Sequence, residues 1–116
     1  ISAYRKQKKG GRFKIEIEYF SAPNLNNKTI ILCDPMLASG SSMILAIKSI
    51  LKKGKPKHIH IVSIISSSKG INFIKRNVPI GNYTLWIGAE DTEMTSKSYI
   101  VPGLGDAGDL AYGKKI

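Results

Sequence analysis

An acid followed by small hydroxyl residues is the first pattern here that could do chemistry. Asp34, Pro35, Met36, Leu37, Ala38, Ser39, Gly40, Ser41 and Ser42 run out of the apolar stretch Thr29 to Cys33 and straight into a helical pattern. A loop of small residues leading into a helix leaves several backbone N–H groups aimed into one volume, beside the positive end of the helix dipole. That volume suits a phosphate. Gly40 lets the backbone approach closely, and Ser39, Ser41 and Ser42 add hydroxyl donors. Asp34 plays another part: a carboxylate repels phosphate but accepts hydrogen bonds from sugar hydroxyls, so an acid ahead of the donors matches a ribose 5-phosphate. A Walker loop is excluded, because no lysine follows Gly40.

A second pattern lies near the C-terminus. Gly103 to Gly108, GLGDAG, matches the dinucleotide fingerprint letter for letter, but Pro102 precedes it and only eight residues follow it. A helix, a further strand and a ribose-binding acid have no room there. Pro102 removes a ladder donor and the glycines permit turns closed to other residues, so the stretch SYIVPGLGDAGD, Ser98 to Asp109, is expected to be neither a regular strand nor a helix.

These patterns need elements to position them. Ile1 to Tyr4 reads as a short strand, and Phe13 to Phe20 alternates, with Phe13, Ile15, Ile17 and Tyr19 on one face and Lys14, Glu16 and Glu18 on the other. A basic tip joins the two into a hairpin arm. Thr29 to Cys33 is a buried strand by its β-branched content. A helix follows, with Met43, Ile44, Ile47, Ile50 and Leu51 on one stripe, Ser41 or Ser42 as its cap and Gly54 as its end. HIHIVSII is another strand, SSSKG a loop, INFIKRNV a short helix and YTLWIGA a further strand. Strand, helix, strand, helix, strand implies an α/β fold with a parallel sheet flanked by helices, whose ligands lie outside the carboxyl ends of the strands.

Composition narrows the partners. At 116 residues with 42% apolar content the chain supports one globular core, and no apolar run reaches the ~18 residues of a membrane span. The first residues are not a secretory leader and Cys33 is the lone cysteine, so a cytoplasmic location is expected. Because the sequence opens on Ile1, apparently inside a strand, it reads as a fragment. The net charge of +10 favours anionic partners. Lys52, Lys53, Lys55 and Lys57 complement a helix C-terminus; the basic stretch around Arg5, Lys6, Lys8, Lys9, Arg12 and Lys14 stays open. Cys33 is expected to pack as a small buried hydrophobe and Trp86 to lie in the core. His58 and His60 are expected on a solvated or sheet-flanking face, and Glu90, Asp91 and Glu93 in a solvated loop.

Together, DPMLASGSS and YIVPGLGDAGD resemble the uracil phosphoribosyltransferases, along essentially the whole chain but over only the C-terminal half of such an enzyme. The resemblance implies a type I phosphoribosyltransferase fold, incomplete at its N-terminus. Residues 1–20 would form the hairpin arm, 29–88 the sheet core with its substrate loop 34–42, and 99–109 the base-binding segment. It implies that Asp34 through Ser42 hold 5-phosphoribosyl 1-pyrophosphate, that Arg5 reaches the pyrophosphate, and that Ile100, Gly105, Asp106 and Ala107 hold uracil, with Asp106 also facing the phosphoribosyl substrate. Asp106 and Arg5 are the catalytic candidates. The resemblance further implies Mg²⁺ bound mainly through substrate, no resident metal ligand, a homo-oligomer, and GTP as an activator in some relatives. Familiar members read Thr-Gly-Gly-Ser where this chain has Ser39 to Ser42, so Ser41 fits a glycine position only if its φ is negative. SSSKG stands where many members have Pro-Glu-Gly. Asp91 is the one residue of the acidic trio with a family counterpart. The rival reading is a basic nucleic-acid-binding or regulatory module built on the same fold, which the scarcity of aromatics near the hairpin disfavours.

Overall fold

A computed structural model describes residues 1–7, 10 and 13–114, without the side chains of Ala3, Tyr4, Arg5, Gln7 and Phe13. Strands β1 (Ser2–Gln7) and β2 (Phe13–Tyr19) form an antiparallel hairpin. The first strand is longer than the alternation predicts, and a register irregularity between Ser2 and Ala3 displaces its start. Ile15 and Ile17 are half-buried as expected, whereas Tyr19 is 62% exposed, not on the covered face.

The body of the fold is a three-stranded parallel sheet in the order β3 (Thr29–Leu37), β4 (His58–Ser67), β5 (Tyr83–Asp91). Helix α1 (Ser41–Lys53) connects β3 to β4, and α2 (Ser68–Asn77) connects β4 to β5. A short antiparallel pair, β6 (Glu93–Met94) with β7 (Ile100–Val101), and a terminal helix α3 (Ala107–Tyr112) complete the chain. The two-residue β7 and the start of α3 at Ala107 correct the expectation that Ser98 to Asp109 lacks regular structure: the turn residues end at Gly105, and Asp106 caps a helix.

Both helices bury their apolar stripes against one face of the sheet. Ile47 and Ile74 from the helices meet Ile59 and Ile61 from β4, all four with no exposed surface. Gly54 closes α1, its N–H donating to Ile50 O at 3.2 Å, with Lys52 and Lys53 in the last turn. Trp86 and Cys33 contradict the sequence expectation. Trp86 is 56% exposed and Cys33 is exposed, because the period-2 alternation sends both to the sheet face that no described helix covers.

Ile61→Ala should lower the unfolding free energy by about 2–5 kcal/mol in chemical denaturation, since it leaves a cavity among close-packed side chains. Lys52→Ala, on the solvated end of α1, should change it by less than about 0.5 kcal/mol.

Candidate active site

The acid-and-hydroxyl segment divides between two elements. Asp34, Pro35, Met36 and Leu37 belong to β3, pairing with Ser63, Ile65 and Ser66 of β4, so the loop is shorter than the predicted 34–42. Pro35 is tolerated because β3 is an edge strand and its missing N–H breaks no central ladder. The loop itself is Ala38, Ser39 and Gly40, and the helix begins at Ser41.

Gly40 carries the turn. It is the residue before α1, with φ of 82° in the left-handed region, and no side chain caps the helix, contrary to the expected Ser41 or Ser42 cap. The start of α1 thus carries no side-chain cap. Ser41 is helical, so it meets the condition of negative φ that its place at a usual glycine position demands. Its N–H donates to Ser39 Oγ at 3.4 Å, which holds the loop tight. A cavity of about 40 Å³ results, bounded by Asp34, Met36, Ala38, Ser39, Gly40 and Ser42.

Asp34 stands at its mouth. One carboxylate oxygen accepts from the Met36 N–H at 3.0 Å. Burial nevertheless pushes the Asp34 carboxyl above its ordinary value of 3.8, outweighing the stabilising Met36 bond.

Ser67 ties this loop to the body, a role that sequence reading missed by taking SSSKG for a loop. Ser66 and Ser67 end β4, and Ser67 caps α2. The buried Ser67 hydroxyl donates to Ala38 O and accepts from the Gly70 N–H at 2.8 Å. Gly70 is required where α2 crosses the loop, since a Cβ there would collide with the carbonyls of Leu37 and Ala38. A serine directly ahead of the helical pattern that carries Ile71 and Ile74 was the available signal for a cap.

On the far side of Ser39 and Ser41 lies a larger cleft of about 520 Å³, lined also by Lys14, Ile15, Lys48 and Phe73. Arg5 pairs through its backbone with Ile15, which puts its strand beside this cleft; its side chain lies outside the described residues.

The C-terminal segment reaches the same carboxyl end of the sheet, at its other outer strand. Asp91, at the end of β5 and not in a solvated loop as expected, accepts from the Gly103 N–H at 3.0 Å. Glu90 also lies in β5, and Glu93 in β6. Gly103 and Gly105 have φ of 45° and 80°, and Ile100 is 2% exposed. Asp106 Oδ1 accepts from the Asp109 N–H at 2.8 Å, so Asp106 opens α3 with Ala107 as its first helical residue. Loop and segment thus both lie at the carboxyl ends of parallel strands, the loop after β3 and the segment at the end of β5, where α/β sheets place ligands. His58 and His60 lie apart on the sheet, His58 Nε2 2.8 Å from Thr84 Oγ1 and His60 Nδ1 accepting from Trp86 Nε1–H at 3.0 Å, in the flanking position expected.

The family model for uracil phosphoribosyltransferase matches residues 4–114. The chain belongs to that family. Among its relatives, a uracil phosphoribosyltransferase of Porphyromonas gingivalis is 55% identical over 116 residues, 100% of this chain and 53% of the relative. One from Thermococcus gammatolerans is 39% identical over 109 residues, 93% of this chain and 48% of the relative. The solved structure of the AQ2163 protein from Aquifex aeolicus superimposes with a TM-score of 0.82 at 30% identity, covering 98% of this chain and 53% of that one. The chain therefore spans about half the length of the uracil phosphoribosyltransferases it matches. No described helix is long and apolar enough to cross a membrane.

Ser67→Ala should cost about 1–3 kcal/mol of stability in chemical denaturation, because it strands the Ala38 carbonyl and the Gly70 N–H in a buried place. Ser68→Ala, whose hydroxyl reaches only exposed Glu90 at 2.7 Å, should cost far less.

Proposed function

We propose that the family-length protein transfers a phosphoribosyl group from 5-phosphoribosyl 1-pyrophosphate to uracil, giving UMP and pyrophosphate. The observation that supports this reading is that a phosphate-sized loop after β3 and a turn-rich segment pinned to the end of β5 both stand at the carboxyl end of one parallel sheet. The amides around Gly40 to Met43 and the hydroxyls of Ser39, Ser41 and Ser42 take the 5-phosphate, while Pro35 to Ala38 shape its floor. Asp34, aided by its partial burial, accepts from the ribose hydroxyls. The pyrophosphate extends toward the cleft beside β2, on the side of Arg5 and Lys48.

The base lies against the C-terminal segment. Backbone groups at Ile100, Gly105 and Ala107 read uracil O4 and N3–H, and cytosine, with an amino group and a bare N3, leaves them unpaired. A uracil ring nitrogen displaces pyrophosphate from the anomeric carbon: the C–N bond forms, the C–O bond breaks with both its electrons going to pyrophosphate, and the proton of the ring N–H is released to water or to the leaving pyrophosphate. The ribose gains oxocarbenium-like charge in between, so the protein acts by positioning and electrostatics rather than by a covalent nucleophile. Asp106, at the segment's turn, faces the phosphoribosyl group. Mg²⁺ enters with the substrate on its pyrophosphate oxygens. The described residues bring no three His, Cys, Asp or Glu side chains together that could form a cage for it.

Competition between bases tests the reading. The family-length protein should turn over uracil and discriminate against cytosine by roughly 10⁴; comparable use of cytosine or hypoxanthine would show that the segment is not a uracil pocket. The 116-residue chain alone should form no UMP.

Asp34→Asn separates function from stability. A carboxyl whose folded pKa is raised binds protons more tightly when folded, so its contribution falls as pH rises from 3.8 through the folded value and stays unfavourable above it. The Asn variant should therefore be no less stable than the parent at neutral pH, and should lose that part of the pH dependence in thermal melts. Its affinity for 5-phosphoribosyl 1-pyrophosphate should still drop at least about tenfold, because charge-assisted bonds to the ribose are lost. Unchanged affinity would leave Asp34 a structural role only.

A further inference from the structure

The two ends of the sheet differ in charge. Because β3, β4 and β5 are parallel, their first residues Thr29, His58 and Tyr83 lie at one end, and α1 and α2 bring their last turns back to that same end. The segments that build this pole, 20–28, 51–57 and 75–82, hold seven cations and no acid. All eight acids of the chain lie outside them, with Asp34, Glu90 and Asp91 toward the opposite end of the same strands. Each of the seven cations is exposed, and none makes an ion pair among the described residues.

Helix dipoles account for only four of them. Lys52 and Lys53 in α1 and Lys75 and Arg76 in α2 offset the negative ends of their helices, whereas Lys28, Lys55 and Lys57 lie outside both. The backbone of these three is fastened. The Lys57 N–H donates to Lys28 O at 2.8 Å, the Lys55 N–H to Asn26 Oδ1 at 2.8 Å, and the Asn82 side-chain amide to the carbonyls of Pro56 and Lys57 at 3.2 and 2.6 Å. Pro56 is buried between them, so Lys55 and Lys57 both turn outward. Beside them a groove of about 670 Å³ opens past Asn26, Asn27, Lys52 and Lys53.

Such a pole offers donors and no acceptor charge, so it fits a partner made of repeated anions. Lysines are point charges that suit phosphate, where a planar carboxylate favours the forked guanidinium. Phe20 and Tyr83, the aromatics at this end, pack against the core, so no ring is presented for the base stacking that single strands use. None of the exposed large apolar side chains lies in these segments, which leaves nothing to insert into a bilayer. We propose that this pole binds the phosphate backbone of double-stranded nucleic acid without reading its sequence, at the far end of the sheet from the proposed substrate loop. The fixed backbone beneath Lys28, Lys55 and Lys57 keeps the ordering cost of that contact low.

Binding, not turnover, is the readout, so the result is independent of the proposed reaction. The family-length protein is titrated into two fluorescent DNA duplexes of unrelated sequence at several salt concentrations, and anisotropy is followed. Both duplexes should bind equally, with log affinity falling against log salt at a slope of about −4 to −6, as for five or six displaced counterions. Lys55→Ala combined with Lys57→Ala should make that slope shallower by about 2 and weaken binding at low salt by about tenfold or more, with the thermal melt unchanged. Lys6→Ala combined with Lys14→Ala, in the hairpin, should change neither. Loss of binding in the hairpin variant with normal binding in the Lys55 and Lys57 variant would overturn the proposal. So would the absence of duplex binding at low salt, or binding as tight to poly-glutamate or to vesicles of mixed phosphatidylserine and phosphatidylcholine.

Discussion

The hydroxyl of Ser67 holds two backbones that would otherwise have no reason to approach. It donates to Ala38 O in the loop after β3 and accepts from the Gly70 N–H in the first turn of α2. Gly70 has no side chain to keep α2 away from the Leu37 and Ala38 carbonyls, and Gly40 in turn has none to strike the Gly70 carbonyl, 3.1 Å from where its Cβ would be. Two glycines and one serine thus fix the spacing between the β3 and β4 crossovers. The short loop can then turn through Gly40 and present the start of α1 without a side-chain cap. A buried polar bridge of this sort is costly to break because both of its partners lie out of reach of water.

Charge is distributed around that frame according to use. The helices end in lysine and arginine, Lys52 and Lys53 in α1 and Lys75 and Arg76 in α2, which complements their dipoles and leaves their starts free of acid. The exception near the loop is Asp34, half-buried with its carboxyl held upward by desolvation. Burying this carboxylate costs stability at neutral pH, which the Met36 N–H offsets only in part. Asp91 does the opposite, since its acceptor anchors the Gly103 amide and so joins the C-terminal segment to the sheet.

Periodicity made the sheet and both helices legible, because Met43, Ile44, Ile47 and Ile50 repeat at helical spacing and the strands are bounded by turn residues. Element ends were less legible. Asp34 to Leu37 look like a loop by composition but complete β3, since an edge strand tolerates Pro35; Ser66 to Gly70 look like a loop but finish one element and cap the next. Trp86 and Cys33 were misplaced because residue type alone does not say which face of a sheet is covered, and the alternation that decides it depends on material beyond these strands. The sequence offers candidate site residues by type and order, but not the Ser67 bridge or the Asp91 anchor, which join residues 29 and 12 positions apart.

The central claim is that the loop at Ala38 to Ser42, and not the basic hairpin, receives the phosphate of a phosphoribosyl ligand. Backbone amide chemical shifts of the isotopically labelled protein, followed during titration with 5-phosphoribosyl 1-pyrophosphate and Mg²⁺, address it directly. The largest changes should fall on the amides of Ala38, Ser39, Gly40, Ser41 and Ser42, saturating together. Changes confined to the lysine-rich hairpin and the end of α1, fading with added salt as diffuse charge attraction does, would contradict it.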